Sequence, residues 1–119
     1  MTTELTEARI RLIYEWLYPE LKEHEDWMLL RSDVGRHQIS WANGAGVRLT
    51  RMVVERLFQP DGTPDYNTWH DEGIPKLRKT HDVTYRHGHW DLQPHSNPTK
   101  RRLAHQDPWL AVVEMLEAK

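Results

Sequence analysis

Six tryptophans are the strongest constraint on what this chain of 119 residues can fold into. Rings of that size have to pack against other apolar groups, and the chain contains no cysteine that could replace a packed core with disulfides. The length favours one domain, in which folding hides roughly two-thirds of the surface of the unfolded chain. We therefore expect a single domain over residues 1–119 with a largely aromatic core.

The surroundings of the tryptophans divide them into two groups. Trp16, Trp69 and Trp109 fall at helical spacing among apolar residues and are predicted to anchor the core. Trp27, Trp41 and Trp90 stand among polar residues, where a partly exposed indole suits a protein interface or stacking on a nucleic-acid base.

Apolar periodicity predicts a mainly α domain (α+β) with one β-hairpin, similar to a winged helix. Residues 1–35 are expected to form a helical pair, with helices over 4–18 and 20–30. Further helices are expected over 47–58, after the cap signal Thr63-Pro64, and over 107–119, where Asp107-Pro108 is a strong start signal. Strands at 77–79 and 83–86 would form the hairpin around the turn Thr80-His81-Asp82.

Charge is distributed unevenly along the chain, although the net charge is only −2 with neutral histidines. Residues 73–105 contain seven lysines and arginines against Asp82 and Asp91, and five of the eight histidines. Because association depends on the local potential, such a basic stretch can bind an anion even in a weakly acidic protein.

The segment 69–86 resembles the end of an excisionase-type winged helix–turn–helix domain, the DNA-binding module of recombination directionality factors. In that family a tryptophan closes the recognition helix, a Glu-Gly-hydrophobic-Pro turn follows, and a basic hairpin ends in Val-x-Tyr-Arg. The matching residues here are Trp69, Glu72, Gly73, Ile74, Pro75, Leu77, Arg78, Val83, Tyr85 and Arg86. The resemblance, extended to residues 52–92 within a possible domain at 47–92, implies a first motif helix at 52–58 and a second at 64–69.

This resemblance implies a small non-enzymatic, regulatory or recombination-accessory protein of a phage or mobile element, with double-stranded DNA as its partner. Lysines and arginines would contact phosphates, and an asparagine can read adenine bidentately. The expected nucleic-acid-binding residues are Asn67, Lys76, Arg78, Lys79, Arg86, Lys100, Arg101 and Arg102. This hypothesis includes no cofactor.

Clustered histidines support an alternative, a metal-dependent nuclease or hydrolase. Imidazoles on one strand face beside a carboxylate can bind zinc or manganese. The candidate ligands are His81, His87, His89 and Asp91. A tyrosine nucleophile in such a nuclease would be Tyr14, Tyr18 or Tyr66.

A second alternative is a protein-binding modulator or inhibitor of a larger complex, with the polar-flanked tryptophans at its interface. A membrane partner is not expected, because no run approaches about 18 apolar residues. The start of the chain lacks the pattern of a signal peptide, and with the missing cysteines this predicts a cytoplasmic protein. The sequence indicates no oligomeric state.

Overall fold

A computed structural model describes residues 6–31, 36–42, 46–95 and 103–117. Within these ranges the chain forms two antiparallel sheets of three strands each, together with helices, so the fold is α+β. The prediction of a mainly α domain with a single hairpin is therefore wrong. The reason lies in the first half of the chain, where strands form at Met28–Arg31 and Arg48–Glu55, within or across the end of two expected helices.

The chain begins with a helix that the sequence predicted. Helix α1 spans Glu7–Leu17 and is capped by Thr6, whose side chain accepts a hydrogen bond from the Arg9 backbone N–H. A 3-10 turn follows at Pro19–Glu23, since proline is tolerated at the start of a helical turn but cannot continue the preceding helix.

The first sheet has the strand order β1-β2-β3. Its strands are β1 (Met28–Arg31), β2 (Arg36–Ala42) and β3 (Arg48–Glu55). The helices expected over 20–30 and 47–58 are therefore both wrong. Neighbouring side chains of β3 point to opposite faces of the sheet, as in any strand, so Val54 is buried whereas Val53 is 55% exposed. The helical spacing of Leu49, Met52, Val53 and Leu57 in the sequence was coincidental.

The second half of the chain contains one continuous helical run, which we call the 66–77 helix. Its segments are α2 (Tyr66–Thr68), a π-helical turn (Trp69–Gly73) and α3 (Ile74–Leu77). The Ile74 backbone N–H donates to the Trp69 carbonyl, one residue further back than in an α-helix. Pro75 follows directly and has no N–H to donate, so the wider turn falls where the regular ladder is interrupted. The helix therefore runs through the Gly73-Ile74-Pro75 segment that was expected to end it.

The second sheet follows the 66–77 helix and has the order β4-β5-β6. Its strands are β4 (His81–Arg86), β5 (His89–Pro94) and β6 (Leu103–His105). The hairpin turn is His87-Gly88, not Thr80-His81-Asp82, and residues 77–79 are not a strand. Of the predicted hairpin, the strand at 83–86 is confirmed as part of β4. Helix α4 (Pro108–Glu117) then confirms the prediction for the end of the chain.

A cluster of indole rings forms the centre of the core. The Trp69 ring centroid lies 5.2 Å from that of Trp109 and 5.4 Å from that of Trp90, both in edge-to-face geometry. Trp109 Nε1 donates to the Leu57 carbonyl at 2.8 Å, which ties α4 to the segment that follows the first sheet. Trp69 and Trp109 are fully buried, as predicted.

The other tryptophans follow the sequence expectation less closely. Trp27 is buried, although a partly exposed position was expected, because Arg11 covers its ring at 4.0 Å from the centroid. Trp16 is half-buried rather than an interior anchor, while Trp41 and Trp90 are half-buried as expected. In the part of the chain that the structure describes, no helix has the length and apolar character needed to cross a membrane.

We expect Gly73→Ala to destabilise the fold. A Cβ atom at Gly73 would lie 2.6 Å from Trp69 Cε3 and 3.2 Å from Trp109 Cη2, and neither packed ring can move freely. Overpacking of this kind lowers the free energy of unfolding by about 1–3 kcal/mol, which urea denaturation measures. In a Trp69→Phe background the benzo ring is missing, so Gly73→Ala should cost less there. An equal cost in both backgrounds would contradict the contact.

Candidate nucleic-acid interface

Three of the predicted phosphate-binding residues lie together at the end of the 66–77 helix. Lys76 is in the last turn, Arg78 caps the helix, and Lys79 belongs to the turn that leads into β4. Cations are favoured at this position because the last carbonyl groups of a helix carry partial negative charge. Arg78 and Lys79 are exposed, so the same arrangement presents two positive charges to solvent.

A fourth cation joins this group from a distant part of the chain. Lys76 Nζ lies 5.6 Å from the centroid of the Trp16 ring. Burial lowers the pKa of Lys76, and the nearby charges of Lys79 and Lys22 lower it further, while the smaller effect of Glu20 opposes them. Lys22 belongs to the 3-10 turn, and its acidic sequence surroundings gave no sign of a basic surface. We call Lys22, Lys76 and Lys79 the lysine cluster.

Beside the helix end lies an open cleft of about 480 Å³, which we call the basal cleft. Its polar lining consists of Arg78, His81, Asp82, Thr84, Gln93 and His95. The backbone closes it on one side, where the His95 N–H donates to the Thr80 carbonyl at 2.9 Å. The cleft is therefore formed by the residue that caps the helix, by the first four residues of β4 and by the end of β5.

Most of the polar groups in the basal cleft can donate hydrogen bonds. Arg78 contributes a guanidinium and Thr84 a hydroxyl, while Asp82 Oδ1 lies 3.1 Å from His95 Nε2. This contact gives a partner to the Asp82 carboxylate, the one acidic group in the lining. A cleft rich in hydrogen-bond donors beside clustered cations can bind the oxygens of a phosphate.

Arg86 lies at the other end of β4, at the tip of the hairpin. Its Nε atom is 3.8 Å from Asp91 Oδ2, but its side chain is 53% exposed against 15% for Asp91. At about 3.3 Å per residue, Arg86 is roughly 17 Å from His81 at the base of the strand. Because one DNA strand carries a phosphate every 3.4 Å along the helix axis, this separation corresponds to about five nucleotides.

The four candidate metal ligands are not brought together. His81 pairs with Pro94 at the base of the hairpin, whereas His87 is in the turn at the tip and His89 opens β5. Asp91 faces Arg86. Among the residues that the structure describes, no group of three or more histidine, cysteine, aspartate or glutamate side chains is arranged to hold a metal ion. The alternation that should have aligned His87 with His89 fails because His87 is outside the strand.

The predicted base-reading residue is far from the cations at the end of the 66–77 helix. Asn67 is exposed in the first turn of the 66–77 helix, about 13 Å along the axis from Lys76. The first helix of the expected helix–turn–helix, at 52–58, falls on β3 and the loop after it. Asn67 therefore lacks the helix pair that would set it in a major groove. Lys100, Arg101 and Arg102 lie outside the described residues.

No family model matches the chain, and neither the curated proteins nor the solved structures give a match. The function of the chain therefore has to follow from its own side chains.

The buried tyrosines bear on the nuclease alternative. Tyr14 is 1% exposed, and its hydroxyl donates to the Glu55 carbonyl at 3.2 Å while lying 3.1 Å from His37 Nδ1. Burial raises the pKa of Tyr14 far above its ordinary value, and burial also raises the pKa of Tyr18. A tyrosine nucleophile has to ionise, so these positions are unsuited to that role. Tyr66 is exposed at the start of the 66–77 helix, the opposite end from the connection to His81 at the base of the hairpin.

The raised pKa of Tyr14 predicts a loss of stability in alkali. Its stabilising contribution is complete below the unfolded pKa near 10 and is lost as the pH rises above it, because only the unfolded state then ionises. Above about pH 10, we expect the free energy of unfolding to fall less steeply with pH in Tyr14→Phe than in the unmodified protein. The two slopes should differ by about 1.4 kcal/mol per pH unit. Urea denaturation across a pH series measures both slopes, and identical slopes would contradict the burial of the phenol.

Proposed function

We propose that this protein is a non-enzymatic DNA-binding protein that contacts phosphates through the lysine cluster, the basal cleft and Arg86. Its role would be accessory or regulatory. Arg78 and Lys79 carry the proposal. In the described ranges, neither of them forms an ion pair, whereas Arg9 pairs with Glu117 at 3.1 Å and Arg36 pairs with Glu55 at 3.0 Å.

The absence of a partner matters because a cation already held at hydrogen-bond distance by a carboxylate has little left to offer a ligand. Arg86 is intermediate, since its Nε atom is 3.8 Å from Asp91 Oδ2, which is longer than a hydrogen bond. The Arg9 and Arg36 pairs offset their own charges, so those parts of the surface attract phosphate weakly. At the end of the 66–77 helix, by contrast, two exposed cations lie beside two further lysines. Crowding of like charges is unfavourable in the free protein, and a bound polyanion relieves it.

The spacing of the cationic groups also supports a polyanion over a small anion. Arg86 is roughly 17 Å along β4 from the base of the hairpin, with the basal cleft and the lysine cluster at the other end. A single phosphate cannot reach both ends. A nucleic-acid backbone can, because its phosphates repeat at intervals much shorter than this separation.

The alternatives from the sequence have less support. A metal-dependent hydrolase would need its candidate ligands at one place, and the hairpin separates His81 at its base from His87 and His89 at its tip. A protein-binding modulator remains a prediction, and it differs experimentally because DNA would not bind to it. Double-stranded DNA is therefore the ligand that we test first.

We expect Arg78→Gln/Lys79→Gln to weaken binding to a labelled random duplex, measured by fluorescence anisotropy across a salt series. Each lost phosphate contact should reduce the slope of log Kobs against log salt by about 0.9, so the double variant should lose about 1.8. Circular dichroism checks that the variant is folded.

The matched control is Arg9→Gln/Arg36→Gln, which changes the net charge by the same amount at two residues that already have carboxylate partners. We expect its affinity and its salt slope to stay close to those of the unmodified protein. Equal losses in both double variants would mean that only net charge matters and would contradict a localised site. No binding to DNA at low salt would overturn the proposal.

A further inference from the structure

Tyr85 is the most exposed large hydrophobic side chain among the described residues, at 59%. It lies on the same face of β4 as Val83, which packs partly against the core, and opposite Trp90 across the hairpin. Closer to the base of the hairpin, Leu92 is fully buried on this face. Tyr85 therefore extends beyond the edge of the core, where burial does not account for an aromatic ring.

The Tyr85 ring is supported from behind by a series of aromatic contacts. Its centroid lies 4.9 Å from that of Trp90, and the Trp90 centroid lies 5.4 Å from that of the fully buried Trp69. The series continues to Trp109 at 5.2 Å. A ring held in this way is ordered before a ligand arrives, so binding to it costs little conformational entropy.

The turn next to Tyr85 also orders the tip. His87 has φ 52° and Gly88 has φ 78°, and two successive positive φ values are typical of the type I′ turn that joins twisted strands in two-residue hairpins. His89 Nδ1 lies 3.0 Å from the His87 carbonyl oxygen across this turn. Tyr85 is therefore presented on a tight hairpin rather than on a long loop.

The neighbours of Tyr85 at the tip are polar or cationic. Thr84, Arg86, His87 and His89 are all exposed. An apolar protein surface would leave these groups without hydrogen-bond partners. Because side chains alternate along a strand, Thr84, Arg86 and His89 lie on the other face of the hairpin from Tyr85, and His87 lies in the turn. A single strand of nucleic acid suits this tip, since one base can cover the ring while the phosphates of neighbouring nucleotides reach the guanidinium and imidazole groups around the turn.

We propose that Tyr85 stacks on an unpaired base, so that the preferred ligand is duplex DNA adjoining a single-stranded segment. This inference rests on the proposed DNA binding and adds to it the kind of DNA. Bases inside a duplex are already stacked and cannot cover an exposed ring without distortion. The basal cleft and the lysine cluster contact the duplex backbone, and the tip of the hairpin takes the first unpaired nucleotides.

The test compares two labelled ligands, a short blunt duplex and the same duplex with a single-stranded thymidine extension. We expect the unmodified protein to bind the extended duplex more tightly. Tyr85→Ala should weaken binding to the extended duplex by about five- to a hundredfold while changing binding to the blunt duplex little. Tyr85→Phe should retain the preference, because its ring can still stack.

Two further variants test whether the aromatic face of Tyr85 is needed and whether the loss of any exposed tyrosine has the same effect. Tyr85→Leu keeps an apolar contact with Trp90 but lacks an aromatic face, so it should behave like Tyr85→Ala if stacking matters. Tyr66→Ala removes another exposed tyrosine, at 45%, from the start of the 66–77 helix and should change neither affinity. A 2-aminopurine placed first in the extension should lose fluorescence on binding to the unmodified protein, but not to Tyr85→Ala.

The outcomes distinguish this inference from the proposed function. Equal affinity for the two ligands, unchanged in Tyr85→Ala, would overturn the stacking role while leaving DNA binding intact. A preference that persists in Tyr85→Leu would also overturn it. Failure of both ligands to bind at low salt would overturn the proposed function itself.

Discussion

The packing of Trp69 between Trp90 and Trp109 is the interaction on which the rest of the structure depends. These three rings belong to the 66–77 helix, to β5 and to α4, so one cluster joins the elements of the second half of the chain. The hydrogen bond from Trp109 to the Leu57 carbonyl extends this connection to the segment that follows the first sheet. Gly73 permits it, because any side chain there would enter the space of the two rings.

The same packing determines where the charged groups lie. With Trp69 buried, the helix continues through a π-helical turn and ends at Arg78, and β4 begins a few residues later. Arg78 and Lys79 therefore reach the surface next to the base of the hairpin, while Lys76 packs over Trp16. At the other end, Trp90 supports the ring of Tyr85. Both parts of the proposed DNA surface are thus positioned by one aromatic core.

Local signals in the sequence predicted the elements that depend on local interactions. Helices α1 and α4 have caps and apolar stripes within a few residues, and the cationic end of the 66–77 helix was visible as Lys76, Arg78 and Lys79. The first sheet was missed because strand pairing is not local. β3 is a strand because Val54 and Met52 pair with residues of β2, and no nearby residue reveals that partner.

The candidate site shows the same limit. The sequence identified most of the cations but could not show that Lys22 joins them, since that contact depends on the position of the 3-10 turn. The sequence also suggested that three histidines and Asp91 form one site, because these residues are close together along the chain. The hairpin turn at His87-Gly88 puts His81 at the base and His87 at the tip. One shift in the turn therefore separates His81 from the other candidate ligands and creates the exposed tip.

The most direct test of this account is to map the bound DNA on the protein by ¹H–¹⁵N chemical-shift perturbation. The account predicts that the largest shifts on adding a duplex fall on the amides of residues 76–89 and on Lys22, and that the first sheet is largely unaffected. Shifts concentrated on the first sheet, or spread evenly over the surface, would contradict the claim that the end of the 66–77 helix and the hairpin form the DNA-binding surface.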